Sequence, residues 1–309
     1  MIEIIGAPID LGGKRLGSRL GPCAIRLADI VPVLTGLGLT VFDRGDVAVD
    51  ATPDDPEGFR GFSAIHDGIL QLRAQAEDAL NGDSIPLVLG GEHTVALGGI
   101  SAAAAKYGPE LAVLWIDAHA DVNCPATSLS SNLHGMPIAA LQNLSNDADG
   151  LRSAQWSTLL ESVAPSYLRP DQFYWYGLRD VDAGERPRVK QGFAVTMHDI
   201  DRHGIDHTVR RLDRELRANN YRKLWISFDV DALDPILAPG TGTAVRGGLT
   251  YREAHLLAEL LRDHMAAEDC PYRLAGIDVV EVNPLIDSNN ETARVAVEWV
   301  ASLLGKTIL

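Results

Sequence analysis

Residues able to do chemistry cluster at three points of the chain. Asp117-Ala118-His119-Ala120-Asp121 follows the apolar run 112–116 and repeats a metal-ligating side chain at every second position. If the chain stays extended there, all three side chains point to one side. Groups converging in this way repel or stay half-satisfied unless a cation sits among them. Alone, the motif reads either as a metal site or as a polar loop with capping aspartates. A second cluster, Asp229-Val230-Asp231, follows Trp225-Ile226-Ser227-Phe228 and runs into Ala232-Leu233-Asp234-Pro235. One Asp-x-Asp says little, since Asp is common at strand ends and before Pro. Two acidic clusters ending two apolar runs say much more, because divalent cations remove the repulsion between them. The third point is Gly90-Gly91-Glu92-His93, after the run 85–89. Its glycines permit a tight turn. His93 alone would read as structural, and it gains meaning only beside the other two clusters.

Together these give His93, Asp117, His119, Asp121, Asp229 and Asp231: four carboxylates, two imidazoles and no thiolate. The set is too rich for one ion and suits two. Oxygen-dominated ligation favours Mn²⁺ or a similar hard ion over structural Zn²⁺. Two ions about 3.5 Å apart lower the pKa of a shared water enough to supply hydroxide near neutral pH, which is hydrolytic chemistry.

Such a site needs elements that bring distant segments to one edge. Strands are predicted at 3–6, 40–43, 85–89, 112–116, 173–176, 193–196, 223–228 and 274–280. Helices are predicted at 22–34, 58–80, 94–106, 207–218, 251–264 and 291–304, the first breaking or kinking before Pro32. Runs such as 85–89 and 112–116 are apolar throughout, the pattern of strands covered on both faces. Strand–helix alternation predicts an α/β fold, a three-layer α/β/α sandwich with a mostly parallel sheet of about eight strands. The polar stretch 143–157 reads as a surface loop rather than a linker, so residues 1–309 are expected to form one domain. In open parallel sheets ligands bind beyond the carboxyl ends of the strands, where all three clusters fall.

Composition narrows the partners. The 309 residues carry a net charge of −15, with 22% charged and 46% hydrophobic. This chain can bury a core and is not a disordered tail. Its acidity argues against nucleic acid or an anionic membrane and for a small-molecule substrate. The three cysteines are scattered, with no Cys-x-x-Cys, so neither a disulfide framework nor a thiolate zinc site is expected. No leader or membrane helix is read in the sequence, and a cytoplasmic location is expected.

The blocks Gly90–His93, Asp117–Asn123, Ser227–Pro235 and Gly276–Pro284, in that order, make the sequence resemble the ureohydrolases from Ile5 to near the C-terminus. Three further segments resemble the arginase branch: Asn132-Leu133-His134-Gly135, Gly177–Glu185, and Thr241-Gly242-Thr243 with Gly247–Glu253. The resemblance implies two Mn²⁺ ions per subunit on the six ligands named above, with Asp121 and Asp229 as candidate bridges. It implies cleavage of the L-arginine guanidino group to L-ornithine and urea. Glu281 would accept hydrogen bonds from the guanidinium, a planar cation whose forked donors suit a carboxylate. His134 would shuttle protons, helped by Asp121. Asn123, Ser128 and Ser130 would bind the α-carboxylate, and Asp182 the α-ammonium with Glu185 behind a water. Thr243 would shape the pocket. A homotrimer or homohexamer is implied as well.

Without the resemblance each of these residues has a plainer reading. Glu281 could cap a turn, His134 and the serines could sit in a solvated loop, and Asp182 and Glu185 could form an acidic turn. The rival enzymes are agmatinase, guanidinobutyrase and related amidinohydrolases. A non-enzymatic homologue would be expected to have lost a ligand, and none is missing. Three positions depart from the arginase pattern. Glu92 stands where Asp is usual, and its longer side chain could tune metal affinity. Ala183 replaces Pro, which should loosen the Asp182–Glu185 turn. Cys124 replaces Thr, and a buried inert thiol is expected there.

Overall fold

The computed structural model describes residues 1–50, 57–145 and 150–307. All eight expected strands form: β1 Ile2–Ala7, β2 Val41–Asp46, β3 Ile85–Gly90, β4 Leu111–Ile116, β5 Phe173–Leu178, β6 Phe193–Thr196, β7 Lys223–Asp229 and β8 Arg273–Val280. They make one sheet in the order β2-β1-β3-β8-β7-β4-β5-β6. Each pairing is parallel, so the sheet is wholly rather than mostly parallel. The helices are α1 Gly21–Leu27, α2 Ile30–Gly36, α3 Phe62–Asn81, α4 Ala96–Tyr107, α5 Pro137–Leu141, α6 Leu151–Val163, α7 Arg186–Val189, α8 Met197–Ala218, α9 Tyr251–Ala266 and α10 Glu291–Leu303.

The uniformly apolar strands are explained by two cores. Along β4, Ala112, Leu114 and Ile116 join the core under α1, α2, α8, α9 and α10. Leu111, Val113 and Trp115 join the core under α3, α4, α5 and α6. Successive side chains of a strand face opposite ways, so a strand with helices on both sides needs apolar residues throughout. This is the expected α/β/α sandwich. Among the described residues no helix is long and apolar enough to cross a membrane.

The chain starts at β1, goes out to β2, returns to β3, crosses to β4 and runs outward through β5 to β6, and β7 and β8 later fill the gap between β3 and β4. Their carboxyl ends form the middle of the sheet edge, where the order of strands reverses and ligands bind in such folds. The glycines after β3 are needed for this. A Cβ on Gly91 would stand 1.8 Å from the Ile9 carbonyl oxygen. Gly91→Ala is therefore expected to destabilise the protein by about 3 kcal/mol, read as a lowered midpoint in thermal unfolding.

The helices show where patterning misleads. The expected helix 22–34 is broken before Pro32, at Ala28–Asp29, with Asp29 left-handed at φ 65°. Pro32 then falls in the first turn of α2, where a missing N–H costs nothing. The helix expected at 207–218 extends back to Met197 through a kink at Gly204, and the Thr196–Asp199 capping box starts it. The stretch 143–157 includes the start of α6, whose buried stripe is only Trp156, Leu159 and Val163. Residues 146–149 of that stretch lie outside the described residues.

Candidate metal centre

Four central strands deliver the six candidate ligands and Glu281. Strands β4 and β7 are neighbours, with Ile116 beside Phe228, so the residues that follow, Asp117 and Asp229, emerge together. Neither acidic segment stays extended. The Asp117 carboxylate accepts the His119 N–H at 2.7 Å, and the Asp229 carboxylate accepts the Asp231 N–H at 2.7 Å. These side-chain turns reverse the backbone within two residues. Asp121 then lies in the left-handed region at φ 48°. The three groups of Asp117–Asp121 do converge, but through a turn rather than the alternation of a strand.

His93 Nδ1 faces three carboxylate oxygens, from Asp117 at 3.1 Å, Asp121 at 3.1 Å and Asp229 at 3.2 Å. This buried nitrogen has no hydrogen-bond partner. A nitrogen so placed and unpartnered is the arrangement of ligands around a shared cation. Neighbouring ligands of an octahedral ion with bonds of about 2.1 Å stand about 3.0 Å apart. His119 Nδ1 forms a second group, 3.0 Å from Asp231 and 3.4 Å from Asp117. Asp117 belongs to both groups, turning one oxygen to each imidazole. Asp117 is thus the shared carboxylate, and Asp121, named from the sequence as a possible bridge, approaches only the His93 group.

Charge sharpens the picture. Burial pushes Asp229 and Asp231 upward; repulsion from Asp231 and Asp117 adds to it at Asp229, and repulsion from Asp117 adds to it at Asp231. Burial raises Asp121 to about 6, again helped by Asp117. Burial would also raise Asp117, but the His119 and His93 imidazoles beside it outweigh burial and hold it low. Burial would depress both histidines, yet the carboxylates around them drive both upward. The cluster needs positive charge at its centre, which two divalent ions supply in full.

The support around His93 was not legible as function. His93 Nε2 meets Ser227 Oγ at 2.8 Å, and Ser227 donates in turn to Asp278. Trp225 donates to the other Asp278 oxygen. Trp115 stacks on the His93 ring with centroids 4.0 Å apart and donates to Asp117 at 2.9 Å. The Ser227–Asp278 relay places the imidazole proton on Nε2 and leaves Nδ1 bare for a cation. Polar residues inside otherwise apolar strands were the available signal. Ser227→Ala is expected to weaken metal binding about 10- to 100-fold, measurable by competition with a fluorescent chelator. Arg179, also unremarked, donates to the carbonyls of Asp231, Ala232, Leu233 and Val245 and so holds the turn after β7.

The other expected residues line one cleft beside these ligands. His134 pairs through Nδ1 with Glu281 at 2.9 Å. Burial would lower His134, but Glu281 above all, then Glu92 and Asp121, bring it to about 9. Glu281 sits left-handed at φ 65°, its N–H bonded to Gly91 O, and its Oε1 also accepts the His93 N–H. Thr243 donates to Asp231 at 2.9 Å. Ser128 and Ser130 line the cleft, as does Asp180, which the sequence did not single out. Asn123 donates its side-chain N–H to Asp182 at 2.9 Å, so a substrate carboxylate would compete for that donor. Glu185 accepts the N–H groups of Val122 and Asp182, both at 3.0 Å, and ties two cleft segments together. That tie and the Glu185-to-Asp182 backbone bond close the turn despite Ala183. Burial, then Asp121, raises Glu185 to about 7. Cys124 is a free, buried thiol against Thr127, as expected.

Comparison with known proteins agrees with this architecture. The model of the Arginase family matches residues 1–305. An arginase of Staphylococcus aureus (strain COL) is 40% identical over 315 aligned residues, covering all of this chain and 98% of the relative. The solved arginase of Bacillus subtilis superposes with a TM-score of 0.86 at 37% identity, covering 100% of this chain and 99% of the other. A structure described as a hypothetical agmatinase from Burkholderia thailandensis is more distant. It has a TM-score of 0.73 at 26% identity, covering 98% of this chain and 84% of the other.

Proposed function

The chain belongs to the arginase family, and from that premise we propose that it hydrolyses the guanidino group of L-arginine to L-ornithine and urea. It is a hydrolase of that family. The observation carrying the reading is the bare Nδ1 of His93 among three carboxylates, with the Glu281–His134 pair beside it. His93, Asp117, Asp121 and Asp229 would hold one Mn²⁺, and Asp117, His119 and Asp231 the other. Bound there, the ions supply hydroxide at neutral pH by lowering the pKa of water.

The remaining steps fall to this chain's side chains. Glu281 binds the guanidinium and orients its carbon. Water adds to that carbon, and the bond to the substrate's chain nitrogen breaks to release urea. His134, protonated at neutral pH, gives the leaving amine its proton, and Asp121 takes up the proton that water sheds. Asn123, Ser128 and Ser130 receive the α-carboxylate, and Asp182 the α-ammonium. Glu185 acts there through the turn it ties. Thr243 steadies Asp231 at the pocket wall. The chain works as one catalytic domain in a cytoplasmic homotrimer or homohexamer, and its cysteines are free.

A panel of L-arginine, agmatine and 4-guanidinobutyrate, ranked by kcat/KM with Mn²⁺ present, tests the assignment. L-arginine should lead by at least about 100-fold, because only it offers an ammonium to Asp182 and a carboxylate to the serines together. A preference for agmatine would move the enzyme to another branch.

A further inference from the structure

Arg179 directly follows β5 and grips both acidic turns at once. Its guanidinium makes six hydrogen bonds, all to backbone carbonyls: two to Val245 and one each to Gly177, Asp231, Ala232 and Leu233. Asp231, Ala232 and Leu233 are consecutive, so the turn after β7 aims three carbonyl oxygens at one point. Oxygens converging in this way need a donor-rich cation among them. The planar fork of arginine, with five N–H donors, serves them together, whereas a lysine ammonium has three. The backbone of Arg179 reaches the other turn. Its N–H and that of Asp180 both donate to Ala118 O at 3.0 Å. Ala118 lies between the ligands Asp117 and His119, and its own N–H donates to Asp231 Oδ1 at 3.1 Å. The shorter Val245 bond, at 2.8 Å, fastens the segment that brings the Thr243 hydroxyl to Asp231 Oδ2.

These grips fall on one side of the centre. They end on the Asp117–His119 turn and on Asp231, which together form one of the two ligand groups. No side-chain hydrogen bond of Arg179 goes to His93, Asp121 or Asp229. The His93 group has its own supports, with Ser227 orienting the imidazole and Trp115 stacked on it. We propose that Arg179 is a positioning residue for one metal subsite. Its guanidinium holds the turn after β7 so that Asp117, His119 and Asp231 stand ready for their ion before it arrives. The His93 subsite fills without its help. The two ions therefore depend on different residues outside the ligand set, and a change at Arg179 separates them.

The proposal rests on the two-ion reading of the centre but not on the substrate. Arg179→Lys keeps the charge and gives up the fork. Chelator-stripped protein is titrated with Mn²⁺ by calorimetry, and electron paramagnetic resonance distinguishes an isolated ion from a coupled pair. Wild type should take two ions and give the coupled signal. The variant should bind one ion within about threefold of wild-type affinity and the other about 10- to 100-fold more weakly, showing the isolated-ion signal at two equivalents. Adding Ser227→Ala should then weaken the ion that remains, because it acts through His93. A general loss of stability would weaken both ions or neither. A folded Arg179→Lys protein that binds both ions as wild type does, or loses both alike, overturns the proposal. Hydrogen exchange in the wild type serves if the variant does not fold. The segment 229–234, whose Asp231, Leu233 and Asp234 N–H groups are all bonded, should exchange within about threefold of the same rate in stripped and loaded protein. Exchange that slows more than about tenfold on loading would mean that the ion makes the turn, and would also overturn it. Wild type that takes only one ion ends the two-ion reading and this proposal with it. If the ions separate as expected but arginine is not cleaved, the positioning role stands and the substrate assignment falls.

Discussion

Asp117→Asn is expected to reduce arginine hydrolysis by at least about 10⁴-fold and to leave less than one divalent ion bound per chain. Asp117 is fully buried and turns one oxygen toward each imidazole, so it is common to both ligand groups. Losing its charge weakens both groups at once, whereas a change at Asp121 or Asp231 touches one group. Asn can still accept the His119 N–H at Oδ1, so the turn after β4 should survive and the loss should not reflect misfolding. Elemental analysis of the purified variant together with a urea assay checks this. Two ions per chain with activity within tenfold of wild type would remove Asp117 from its central place.

Glu281→Gln is expected to lower kcat/KM for arginine about 10²- to 10³-fold with metal content unchanged. The amide keeps an oxygen for the His93 N–H but loses the charge that meets the guanidinium and its paired acceptors. A second effect accompanies the first. Glu281 is the largest influence raising His134, so without it the imidazole falls from about 9 toward its ordinary range. The alkaline limb of kcat should therefore move to lower pH, because the proton needed by the leaving amine is lost sooner. A pH–rate profile resolves the two effects. An unchanged alkaline limb beside a raised KM would mean that Glu281 binds substrate without tuning His134.

Most of the framework was readable from the sequence because the fold uses its strongest signals. Strands covered on both faces must be apolar throughout, and the run 112–116 shows it: its residues alternate between two cores. Acidic residues just past such strands had one place to go, the central sheet edge. What escaped depended on contacts between segments far apart in sequence. Ser227 and Asp278 are single polar residues in apolar strands, and only the β7–β8 register brings them together. The part played by Asp117 was hidden because the sequence shows spacing, while the turn that aims the two oxygens depends on a hydrogen bond to His119. Glu185 was readable as an acid near the substrate, but not as the tie between Val122 and Asp182. Helix α8 was cut short because Gly204 interrupts the periodic pattern, and the cap at Thr196 restores a start that apolar spacing alone does not reveal.

The most direct test of the account is a Mn²⁺ titration of chelator-stripped enzyme, followed by urea release from L-arginine. Five of the six ligands form two groups that share Asp117, and Asp229 meets the His93 group, so activity should be negligible without metal and reach its plateau at two equivalents per chain. Full turnover by metal-free protein, or metal-loaded protein that leaves arginine intact, would contradict it.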